Sequence, residues 1–222
     1  MLFRSKRMTY LEIVNSILVR LREPTVSTVA LSSYSSLIGK FVNDAKRQVE
    51  DAYSWNVLSS TVTLTTVANT SSYSMTGAGQ KFRVVDAIND TQDLTLRNIP
   101  YVNMNRFLNF GTTQTAAPTY YAFNGVDGSG DTKVDVYPVP DKAYSLVFDL
   151  IVPQDTLSSN ATELLVPSEL VIQNAYARAL VERGEDGGLN SSEAYQLYRS
   201  MLADYIALES TRYPEEMTFE AN

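Results

Sequence analysis

Helical periodicity at both ends of the chain, with strand-like alternation between, is the feature that most constrains this fold. Residues 9–55 and 166–213 each read as a pair of amphipathic helices. Short amphipathic helices are marginal alone in water, so each pair needs an apolar partner. The economical solution packs the first pair on the second. The expected fold is therefore α+β. A discontinuous four-helix bundle, residues 1–56 and 166–213, carries an inserted antiparallel β-sandwich or barrel-like domain at 57–165. Residues 214–222 are left as a C-terminal tail.

The first helix begins at Thr9-Tyr10-Leu11-Glu12. Thr9 can accept from the Glu12 backbone while Glu12 reaches back, a reciprocal capping box. Leu11, Val14, Ile17, Leu18 and Leu21 make its apolar stripe, and Pro24 is expected to stop it. The second helix starts near residues 33–35, with Leu37, Ile38, Phe41, Val42, Ala45, Val49 and Ala52 on one face. Asn43, Asp44, Lys46, Arg47, Glu50 and Asp51 are assigned to the solvent face. There a Lys46–Glu50 pair would contribute only a few tenths of a kcal/mol. Trp55, the only tryptophan, follows. Burial would remove on the order of 200 Å² of its surface from water. It either pins the junction between the helical and β-rich layers or forms a subunit contact.

The middle of the chain is poor in charge. Residues 52–80 and 107–126 contain no Asp, Glu, Lys or Arg. Alternation marks strands at 57–67, 73–75, 81–89, 93–98, 119–124, 133–137 and 143–152, with a short helix at 100–109. Residues 111–117 read as an exposed loop, either solvated or covered by a neighbour, since little charge opposes its association. Tyr120 and Tyr121 are candidate subunit contacts. Asp127 to Asp131 superficially suggests a calcium loop, but it lacks the alternating acidic order and the terminal Glu. Gly77-Ala78-Gly79 lacks the lysine and following helix of a phosphate cradle.

A helix start is marked at Val166-Pro167-Ser168-Glu169. A second capping box is expected at residues 190–193. Pro214, Glu215, Glu216, Met217 and Phe219 lie in the tail, which is either a frayed end or a docking segment.

With no cysteine and no histidine, thiol and imidazole catalysis and the common zinc sites are excluded. No cofactor or metal is expected, and the chain reads as a non-enzyme. A net charge of −7 argues against gripping duplex DNA through a basic face. No apolar run approaches the ~20 residues of a membrane span, so no membrane partner is expected. The basic start, with Arg4, Lys6 and Arg7, reads as an arm rather than a signal peptide.

Three passages carry a family resemblance. They are residues 17–28 (ILVRLREPTVST), residues 41–50 (FVNDAKRQVE) closing on Trp55, and residues 134–140 (VDVYPVP) followed by the strand at 144–153. Together they resemble the head-to-tail adaptor proteins of tailed bacteriophages, also called tail tubular protein A in short-tailed phages. The resemblance implies a virion protein at the head–tail junction, assembled in the host cytoplasm. It implies a homo-oligomeric ring, commonly a dodecamer, beneath the portal protein. Such a ring extends the channel for double-stranded DNA without sequence-specific binding, and anchors the next tail or nozzle protein. It also makes the tail, with Pro214, Glu215, Glu216, Met217 and Phe219, the candidate portal-docking segment. Two other readings compete: a host-surface or carbohydrate-binding β module using Tyr120 and Tyr121, and a carboxylate hydrolase.

Overall fold

The computed structural model describes residues 7–110, 114–184 and 188–212. The chain is α+β, and it divides into two compact units. One comprises Met1–Leu58 with Gln154–Asn222, the other Ser59–Pro153.

In the helical unit, α1 (Tyr10–Arg20) starts on the expected capping box. The Thr9 hydroxyl accepts from the Glu12 N–H at 3.3 Å, and Glu12 Oε2 accepts from the Thr9 N–H at 2.8 Å. The helix ends before Pro24 because Arg22 turns left-handed, with φ of 60°. Arg22 N–H then donates to Val19 O and Glu23 N–H to Leu18 O, a Schellman closure with arginine in the usual glycine place.

Helix α2 (Ser33–Ala52) is capped by Ser32 and Ser35 and buries Ile38, Val42, Ala45 and Val49 completely. Gly39 is required there. A Cβ would collide with the Tyr10 hydroxyl and lie 2.8 Å from Val29 Cγ1.

The solvent face assigned to α2 is in part not one. Asn43, Lys46 and Glu50 are buried, Lys46 to 1 % and Glu50 to 5 % exposure. Residues 154–165 return across this face, so they belong with the helices rather than with the strands. Asn43 clamps the Leu157 backbone, accepting its N–H at 2.8 Å and donating to its carbonyl at 3.1 Å. Lys46 Nζ lies 3.1 Å from Glu50 Oε1 and also donates to Gln154 O. Glu50 Oε1 accepts the Gln154 N–H at 3.2 Å. Downstream, Asn160 and Thr162 carbonyls accept from Leu11 and Tyr10 at the start of α1.

Helix α4 (Ser168–Arg183) starts after Pro167 and ends on left-handed Gly184. It contacts α1, α2 and α5 (Leu189–Arg212). Arg183 ties its end to the first pair, bonding Leu21 O at 3.0 Å, the Tyr34 hydroxyl at 3.0 Å and Glu23. Asn190, expected to cap α5 from outside, instead lies within its first turn, because α5 is already helical from Leu189.

In the β unit, α3 (Tyr101–Asn109) accompanies two four-stranded sheets. The strands are β1 (Ser59–Thr65), β2 (Ser72–Ser74), β3 (Arg83–Asn89), β4 (Leu94–Thr95), β5 (Arg97–Asn98), β6 (Tyr120–Val126), β7 (Thr132–Tyr137) and β8 (Ser145–Ile151). Their orders are β1-β8-β3-β4 and β2-β7-β6-β5. Neither sheet closes into a barrel. The single strand expected at 93–98 is two. Leu94–Thr95 pairs antiparallel with β3, Arg97–Asn98 pairs parallel with β6, and buried Leu96 carries the chain between them. One core joins the sheets: Met75, Val134 and Val136 from one side, Leu146, Phe148 and Leu150 from the other.

Breaking a buried ion pair leaves an uncompensated charge. Lys46→Ala should therefore lower stability by about 3–5 kcal/mol in urea unfolding, while exposed Arg47→Ala should change it by less than about 0.5 kcal/mol. Burial, the largest influence, raises the Glu50 pKa above 4.5 despite Lys46. A raised pKa adds stability that is complete below the unfolded value and fades as pH climbs through the folded one. Glu50→Gln should remove that slope above pH 4.5, and unfolding at a series of pH values reads it.

Candidate assembly surfaces

The first surface belongs to the β unit and is built by α3. Pro100 opens the helix, its carbonyl accepting from Asn103 at 2.9 Å and Met104 at 3.2 Å. Met104 is fully buried. Phe107 stacks on Tyr137 with ring centroids 4.9 Å apart and lies 6.2 Å from Tyr120. These contacts hold α3 on β6 and β7. Its other side is left uncovered: Tyr101, Val102 (60 % exposed) and Phe110 (73 % exposed) face solvent beside Asn103, Asn105 and Asn109. Arg106 is the only charged residue on this helix.

The second surface belongs to the helical unit. A groove of about 520 Å³ is lined by Trp55, Val57, Leu164, Pro167, Tyr205 and Arg212, among others. Tyr205 donates to Glu169 Oε2 at 2.7 Å, and Glu209 accepts the Asn56 N–H at 3.3 Å. Both bonds fasten α5, which buries only Ser191, Ala194 and Tyr198 and leaves Leu197 and Leu208 exposed.

The contact residues singled out from sequence fall in three settings. Trp55 is 2 % exposed, its indole N–H donating to Val49 O at 2.7 Å and its ring edge-on to Tyr53. Tyr121 is 5 % exposed and edge-on to Phe148 inside the β core. Tyr120 is half-buried beside Phe107, at the margin of the α3 surface. Of the three, it keeps the most ring available to another molecule. Pro214, Glu215, Glu216, Met217 and Phe219 lie outside the described residues. The α3 surface was missed as such. Its signal was present in Val102 and in Phe110, the latter an apolar residue within the uncharged run of residues 107–126.

The carboxylates near the β turns are occupied locally. Asp127 Oδ1 accepts from the Ser129 and Asp131 N–H groups, and Asp131 Oδ1 from those of Gly77 and Gly79. The Ser74 hydroxyl, and then the backbone, hold the Asp127 carboxyl below its usual range. Among the described residues, no group of three or more His, Cys, Asp or Glu side chains is placed to hold a metal ion. No helix among them is long and apolar enough to cross a membrane.

Uncovered apolar helix faces mark surfaces suited to contact with other proteins. The comparison with protein families makes this specific. Residues 8–218 match the model of the SU10 adaptor protein, so the chain belongs to that family of phage head-to-tail adaptors. No curated protein matches the chain. Membership carries with it a virion location at the head–tail junction and association with portal and tail proteins.

Burial, followed by the bond to Glu169 and its charge, pushes the Tyr205 pKa up to about 12. The neutral phenol thus stabilises the fold fully below pH 10.0, and that contribution is lost as pH rises to about 12. Tyr205→Phe should delete the highest step of the tyrosinate absorbance titration. It should also cost about 0.5–1.5 kcal/mol of stability at neutral pH, measured by thermal unfolding.

Proposed function

We propose that the protein forms a ring, dodecameric as its resemblance implies, directly below the portal. The ring extends the DNA channel and offers a platform to the next tail component. The helical unit acts as a bundle completed by both chain ends, and the β unit as its insertion. The observation that carries this reading is the family match over residues 8–218. The uncovered faces of α3 and α5 support it, since exposed apolar clusters mark interaction sites. A net charge of −7 suits a lumen that repels a polyanion, so DNA passes without adhering. Assembly takes place in the host cytoplasm, where the chain needs no disulfide, having no cysteine.

Mass measurement of the protein with its portal is the test. A closed multimer bound to the portal is expected, and a persistent monomer that never joins it would refute the reading. Val102→Ser with Phe110→Ser should leave the melting temperature nearly unchanged, because both side chains are exposed, yet reduce the yield of rings.

A further inference from the structure

Sheet edges are the places where one chain recruits another, and folded proteins normally blunt them. Three of the edges here are blunt by length: β4 and β5 have two residues each and β2 has three. The fourth is not. β1 runs for seven residues, SSTVTLT, with no charge, proline or glycine. Its register with β8 is unbroken from Ser59 to Thr65, whereas β3–β8 shifts between Val84 and Asp86 and β6–β7 between Phe123 and Val126. Among the described residues β8 is the only strand bonded to it.

The direction of the free groups follows from one bond. Thr66 N–H donates to Tyr144 O at 2.9 Å, so the peptide groups of Thr66, Leu64, Val62 and Ser60 face β8. Those of Ser59, Thr61, Thr63 and Thr65 face away from it. The side chains of these four are exposed, while Leu64 and Val62 point to the core, with Val62 only half covered. The edge thus offers a row of backbone donors and acceptors beside an incompletely covered apolar row.

We propose that this edge receives, as an added strand, the C-terminal segment 214–222 of a neighbouring copy. Helix α5 is described as far as Arg212, and the sequence continues to Asn222. At ~3.3 Å per residue, that length matches the whole of β1. Its sequence has the required period of two: Glu216, Thr218 and Glu220 alternate with Met217 and Phe219. Paired on β1, Met217 and Phe219 extend the apolar row of Val62 and Leu64. The glutamates then lie on the solvent side beside threonines of β1, which has no charge of its own; Asp149 of β8, on the same face, accepts from the Thr61 hydroxyl at 2.6 Å. They also charge the new edge, which stops further addition after one strand. Every chain carries one donor and one acceptor, so the contact is heterologous and propagates around a ring. This inference rests on the ring reading above and commits the tail to the neighbouring copy instead of the portal.

The absence of cysteine makes the test clean. Thr63→Cys and Thr218→Cys together, in the full chain assembled with portal, should give an inter-chain ladder on non-reducing gels after mild oxidation. Adding Thr61→Pro should abolish the ladder, because that N–H faces away from β8 and the sheet survives its loss. The mass of the unoxidised assembly is measured in parallel. A ring without the ladder overturns strand addition and leaves the adaptor reading intact; no ring overturns both. A link within single chains overturns exchange between copies. Rings that persist after deletion of 214–222 but no longer bind portal also overturn it, and return the tail to the portal.

Discussion

The helical unit depends on a charged pair sealed inside it. Lys46 and Glu50 are satisfied by each other and by the Gln154 backbone, and Asn43, one turn earlier, holds Leu157 at both its peptide groups. A buried ion pair is a poor source of net stability, since desolvation offsets much of its attraction. What it supplies here is selectivity. An apolar row on α2 would accept many extended segments in many registers. A row that demands a backbone N–H at Gln154 and a full peptide at Leu157 accepts one. The chain leaving the β unit is thereby delivered to α1, where residues 160–164 bond the backbone around Met8, Tyr10 and Leu11.

That delivery explains why the two chain ends can share one core. α4 enters immediately after the clamped segment, and its small residues, Ala175 and Ala179, are fully buried. Arg183 repeats the device at the far end, spending its guanidinium on Leu21, Tyr34 and Glu23. Apolar contact supplies most of the driving force, and polar contacts choose the arrangement. α5, which has few such ties, leaves much of its apolar surface uncovered. In a family of head-to-tail adaptors this is the expected state of a subunit considered without its neighbours.

The β unit manages its surfaces differently. Its core is shared by two sheets, and α3 covers part of an outer face through Phe107 and Met104. Charge is withheld from β1, from α3 apart from Arg106, and from the segment after it. Withholding charge raises the risk of adhesion. Contact with copies of itself and with other virion proteins is the circumstance in which that risk becomes a use.

Much was legible in order along the chain, because it is written in local chemistry. The Thr9–Glu12 cap, the Pro167 start, the helix of residues 101–109 and most strands follow from periodicity and from side chains that satisfy nearby backbone. The passages at residues 17–28, 41–50 and 134–140 with the strand after it, taken together, pointed to the family. Lys46, Glu50 and Asn43 were misread because helical spacing shows which residues share a face and never what covers it. The strand at 93–98 was misread for the same reason, since alternation continues unbroken while Leu96 passes from one sheet to the other. Sequence alone determined most of the elements, the Thr9–Glu12 cap and the dearth of charge. Only the tertiary structure decided which polar face was sealed, which sheet each short strand joined and which edge stayed open, because those outcomes depend on which segments meet in space, as Lys46 meets Gln154 and Arg97 meets Tyr120.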